Sequence, residues 1–192
     1  LTNLSLSAGN LDNQAQGELS AGTSLLLNIA GNLSNRGLIT APTALIKALT
    51  VNNLGSGRLY GGTLAIGATT ITNDSETVNG VTKAGTIAAQ NRLDLATTTL
   101  NNQNHALIFS LGDMAIGATL DSNNQATGAA DTVNNHAATI EALGQLSLDS
   151  NNLNNTNGGV VTEMQTVSSE TITEYRLDYQ NHRLSADKFI PQ

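Results

Sequence analysis

The chain has 192 residues, of which 39% are hydrophobic, 3% aromatic and 12% charged, with no cysteine, no tryptophan and a formal net charge of −7. That balance excludes a disulfide framework and a nucleic-acid sheath, which needs a basic stripe. It also excludes a wide aromatic-filled core and a membrane helix, because no run reaches the roughly eighteen apolar residues that a span requires.

From Leu4 the chain repeats one phrase: Leu-x-Leu-x-Ala, a turn, Leu-x-Asn, a second turn, then Gly-x-(Leu/Ile)-x-Ala. The first copy places Leu4, Leu6 and Ala8 on one side and Ser5 and Ser7 on the other, the alternation of a half-buried strand. The apolar centres of the last part of the phrase fall at 19, 39, 59, 87, 107, 140 and 161. A period near twenty with occasional longer steps is a solenoid whose extra residues become loops. Pairs of Asn (Asn10 and Asn13, Asn32 and Asn35, Asn52 and Asn53, Asn101 and Asn102, Asn152 and Asn154) mark the corners. Asn tolerates left-handed backbone and bonds its own main chain. In stacked coils equivalent Asn side chains come within about 4.8 Å, where they form amide ladders. The expected fold is all-β: a right-handed parallel β-helix of about seven coils over residues 1–161, with helix disfavoured by the Asn, Thr and Gly content.

Two longer steps predict insertions at one corner, near residues 74–84 and 121–137. Each holds an acidic-Thr-Val-Asn tetrad, Glu76-Thr77-Val78-Asn79 and Asp131-Thr132-Val133-Asn134, and each follows an Ile-Gly-Ala-Thr string at Ile66 or Ile116. Two excursions from one corner can pack on each other as a small extra sheet, either as tolerated insertions or as a recognition ridge. From residue 162 to 192 the phrase is lost, and Glu163, Glu170, Glu174, Tyr175, Arg176 and Tyr179 enter. This tail is expected to cap the last coil or to open the next module. The start at Leu1, mid-phrase and without a signal-peptide pattern, suggests a mature piece of a longer protein.

The chemistry-bearing residues are scattered. Asp94 and Asp149 occupy similar strings two repeats apart, about 10 Å by strand spacing, and read as solvated surface rather than a carboxylate pair. His105, His136 and His182 lack metal-ligand spacing, although His105 and His136 fall near one corner. No catalytic, cofactor or metal site is expected. Candidate partner-contacting residues are Glu76, Val78, Asp131 and Val133 in the insertions and Tyr175, Arg176 and Tyr179 in the tail, with Tyr60 outward on a small-residue face.

The phrase Leu-x-Leu-x-Ala-x-x-Leu-x-Asn…Gly-x-Ile-x-Ala resembles the filamentous haemagglutinin repeat of two-partner-secreted bacterial exoproteins over residues 1–161. Repeats with insertions followed by an acidic, Tyr-containing segment resemble the stalk of contact-dependent growth inhibition exoproteins, and adhesins of the same class share the repeat. The resemblance implies a non-enzymatic, secreted, cell-surface stalk that presents a receptor-binding or toxin region to neighbouring cells. It implies as partners a cognate outer-membrane secretion barrel and a receptor or glycan on another cell, with no nucleic acid, cofactor or membrane insertion. The alternative is a receptor- or glycan-binding adhesin module acting through the insertions and tail.

Overall fold

The period-two alternation builds short parallel strands that bury every second side chain, and three of them make each coil. The computed structural model describes residues 2–158 and the backbone of Glu174–Arg176 and Arg183–Ser185. It divides into two compact units, Leu1–Gly159 and Val160–Gln192. Of the second unit, the described part is an antiparallel pair with Tyr175 opposite Leu184. The first is a parallel β-helix.

Its first face starts with Asn3–Ala8 and Ser24–Ile29, its second with Leu11–Asn13 and Asn32–Asn35, and its third with Glu18–Ser20. Each strand pairs in parallel with the equivalent strand one coil later. On the first face Leu6, Leu27, Ile46, Ile66, Leu95, Ile116 and Leu148 form one inward column. On the second the column is Leu11, Leu33, Val51, Ile71, Leu100, Val133 and Leu153. On the third it is Leu19, Ile39, Leu59, Ile87, Ile108 and Ile140. The mid-stack members of these columns, such as Ile46, Ile71, Leu59 and Leu95, are completely buried. Each such burial stabilises by about 1.5–3 kcal/mol. The narrow interior is thus filled by aliphatic residues.

The expected amide ladder is present and lies inside the helix. Two residues after each inward residue of the second face stands an Asn: Asn13, Asn35, Asn53, Asn73, Asn102, Asn135 and Asn155. Each Nδ2 donates to the Oδ1 of the next at 2.7–2.9 Å. The other N–H closes the corner on a third-face carbonyl, as from Asn73 to Leu107 at 3.0 Å and from Asn102 to Thr139 at 2.8 Å. These Asn residues end strands and point inward. The left-handed corner positions belong to others, including Asn104 and His105 with φ of 52° and 67°.

Three expectations need correction. The third-face centre in the fifth copy is Ile108, not Leu107, because Leu107 pairs with Thr86 and Ile108 with Ile87. Ile108 follows Leu100 by eight residues, as Leu19 follows Leu11 and Leu59 follows Val51, so the phrase in this copy begins at Ala106 rather than His105, and taking it one residue early exchanges the inward and outward sets. The second insertion ends earlier than 137, since Ala130–His136 is a second-face strand paired with both neighbouring coils. The two insertions also leave from different corners. The first departs after the second-face residues 70–73 and returns to the third face at Thr86. The second departs after first-face Asp113–Gly117 and returns to the second face at Ala130. They form separate two-stranded hairpins rather than one extra sheet.

Candidate interaction surfaces

The first hairpin pairs Ser75 with Ala84, Glu76 with Lys83, Thr77 with Thr82 and Val78 with Val81. Its two-residue turn, Asn79-Gly80, has φ of 52° and 76°. Positive φ at both central positions is what a twisted hairpin demands, and Asn-Gly supplies it at least cost. Val78 and Val81 stand at the tip, 57% and 58% exposed. At the base Glu76 accepts two bonds from Arg36, at 2.7 Å from Nε and 2.9 Å from an Nη, which tie the hairpin to an earlier corner. The hydrogen bond from Arg36 holds the Glu76 carboxyl below the usual carboxylate range, and the same bond raises Arg36. Asp74 accepts from the side chain of Asn104 at 2.9 Å, tying the departure point to the next coil.

The second hairpin pairs Thr119 with Thr127 and Leu120 with Ala126. Its loop is ordered by Asp121, whose Oδ1 accepts the N–H groups of Asn123 and Gln125 at 2.8 Å. It lies against the first face, so Ala65, Asp94 and Ala115 are buried although the alternation points them outward. Small residues make the room. A Cβ on Gly117 would sit 2.7 Å from the Gly128 carbonyl, and one on Gly67 would sit 3.2 Å from Leu120.

Asp94, which the sequence suggests is solvated surface, is buried. Its side chain is 2% exposed, held by Arg92 at 2.8 and 2.9 Å, and its Oδ1 accepts the Ala126 N–H at 2.9 Å. The hydrogen bonds to Asp94 raise the Arg92 pKa. Asp149 is not its counterpart, since the register sets Asp94 beside Ala115 and Ser147. The pattern Arg-x-Asp in a strand that faces a later insertion was the available signal.

The insertion candidates do not converge. Glu76 and Val78 belong to the first hairpin, whereas Asp131 lies exposed on a second-face strand. Val133, expected at a partner surface, is completely buried in the core column between Leu100 and Leu153. The shared acidic-Thr-Val-Asn string therefore adopts two unrelated environments. Tyr175 and Arg176 fall on the Glu174–Arg176 strand, of which the backbone alone is described; Tyr179 lies outside the described residues. His105 and His136 do meet at one corner, through backbone bonds of Asn104 to His136 and of His105 to Ala137. Among the described residues, no group of three or more His, Asp or Glu could hold a metal ion.

A concavity of about 580 Å³ on the third face touches neither hairpin. Tyr60, Ala88 and Phe109 share one outward column there. Phe109 was not singled out from the sequence because taking Leu107 as the centre of this copy sets Phe109 on the inward side.

No family model, curated protein or solved structure matches the chain.

Proposed function

We propose that this chain is a non-enzymatic stalk segment of a secreted, cell-surface filament, of the two-partner-secreted kind that its repeat resembles, presenting a receptor-binding or toxin region to neighbouring cells. The observation that carries this reading is the unbroken Asn ladder from Asn13 to Asn155. An internal hydrogen-bond column repeated in every coil makes a stiff rod whose contacts are nearest-neighbour, so folding propagates coil by coil. Such a chain can leave a secretion barrel unfolded and fold outside, and the absence of cysteine leaves no disulfide to form on the way.

The second reading is a recognition module on a receptor of another cell. The exposed Val78–Val81 tip of the first hairpin favours it, because exposed apolar residues on a rigid projection are typical of contact surfaces. Excision of residues 75–84 and 119–128 separates the two. Gly85 N already bonds Asp74 O at 3.0 Å, so the first excision joins neighbouring backbone. A stalk keeps its β spectrum and its cell-binding level after both excisions. Retained folding with lost saturable binding to cells would replace the stalk by the recognition module, and an isolated chain that fails to fold would remove the self-propagating rod.

A further inference from the structure

Tyr60 and Phe109 are the only Phe, Tyr or Trp side chains of the described stack, and they lie 49 positions apart in the sequence. Register nonetheless sets both in one outward column of the third face, on either side of Ala88. Two strand steps put their backbones about 9.6 Å apart. A saturated six-membered ring in contact with both aromatic rings at about 3.5–4.0 Å needs about 7–8 Å between them, which the two side chains would reach by leaning toward each other over the small Ala88.

The rim adds a second, independent feature. Between Gly61 and Thr63 the neighbouring coil carries one extra residue, because Gly61 pairs with Ala89 and Thr63 with Arg92. The extra residue lies in Gln90-Asn91, both exposed and both lining the same concavity. Bulges re-aim side chains and are over-represented beside binding sites. This one brings two amides, each a donor and an acceptor, to the open end of the aromatic slot. Among the described residues, no charged side chain lines it. Carboxylated, sulfated and phosphorylated ligands therefore find no counter-charge, in a protein whose net charge is already −7.

We propose that the Tyr60–Ala88–Phe109 slot binds one uncharged pyranose, its two apolar faces against the aromatic rings and its hydroxyls on Gln90 and Asn91. The site is remote from both hairpins and stands whether or not the chain is a stalk. The test is saturation-transfer NMR on the full chain with methyl glycosides of glucose, galactose, mannose and N-acetylglucosamine, beside glucuronic acid, sialic acid and a proline-rich peptide. Transfer to at least one neutral glycoside is expected. Tyr60→Ala and Phe109→Ala each weaken it about tenfold, and Ala88→Phe, which fills the slot, abolishes it. All three substitutions lie on an outward column, so unchanged circular dichroism and melting are expected. The double hairpin excision is expected to leave sugar binding intact, which distinguishes failure here from failure of the display reading. The proposal is overturned by a folded chain that binds no neutral glycoside, by binding that survives the three substitutions, or by binding confined to the acidic sugars or the peptide.

Discussion

Asn53→Ala is the sharpest perturbation of this fold. Asn53 is completely buried at mid-ladder. Its Oδ1 accepts from Asn35 at 2.8 Å, and its Nδ2 donates to Asn73 Oδ1 at 2.8 Å, Thr86 O at 3.1 Å and Gly57 O at 3.3 Å. Truncation strands the Asn73 Oδ1, whose donor is Asn53, in the interior. An orphaned buried acceptor costs about 1–3 kcal/mol, and each remaining net bond adds about 1 kcal/mol. The expected loss is therefore about 3–5 kcal/mol, a large share of the roughly 5–15 kcal/mol that holds a domain together. Urea unfolding followed by far-ultraviolet circular dichroism measures it. Asn155→Ala is the control, because Asn155 is exposed at the last coil and is expected to cost under about 1 kcal/mol. The double variant Asn53→Ala/Asn73→Ala should cost less than the sum of its singles, since the second change removes the orphan left by the first. Equal small losses at 53 and 155 would refute the ladder as the element that fixes the coils.

Three further outcomes follow from the hairpins. Gly117→Ala should displace the second hairpin, because its Cβ would lie 2.7 Å from the Gly128 carbonyl; a loss of about 1–3 kcal/mol and new protease cleavage within residues 121–125 are expected. Asp94→Ala frees the Ala126 N–H and leaves Arg92 without its carboxylate; with Arg92 partly solvated the cost is about 1–3 kcal/mol, and faster hydrogen exchange at the Ala126 amide reports it. The Glu76 carboxyl is held low in the folded state by Arg36, so its stabilisation is present above the unfolded value of about 4.3 and is lost as pH falls through the folded one. Glu76→Gln should therefore cost about 0.5 kcal/mol at neutral pH and nothing in acid, with the difference shrinking in high salt.

The fold was legible because its strongest signals are local and repeated. Alternation at Leu4, Leu6 and Ala8 shows the pleat, and recurring Leu-x-Asn marks the coil end. What was misread required long-range information. The string at Asp131–Asn134 resembles that at Glu76–Asn79, yet one lies in a core strand and the other in a hairpin. The ladder decides between them. A second-face strand needs an apolar residue and an Asn two residues on, so that an amide reaches the neighbouring coil. Val133 with Asn135 meets that condition, whereas Leu120 is followed at the same spacing by Ser122. The same rule sets Val51 with Asn53 at a strand centre. Surface position was less legible, since Leu107 and Ile108 are both apolar and the inter-coil register alone shows Ile108 inward and Phe109 outward.

The ladder also explains where this fold accepts additions. Asn73 bonds Asn102 at 2.9 Å across the coil that carries the first hairpin. Asn102 bonds Asn135 at the same distance across the coil that carries the second. Neither insertion interrupts the column, since each begins and ends at a corner where the chain already leaves the sheet. Loop closure grows costlier only slowly with length, so ten residues more at a corner weigh little against an intact coil. An insertion within a second-face strand would break the column and expose buried amides on both sides. Corners and outward columns are therefore where this rod can vary without loss of register. The hairpin tips and the Tyr60–Phe109 slot occupy those positions.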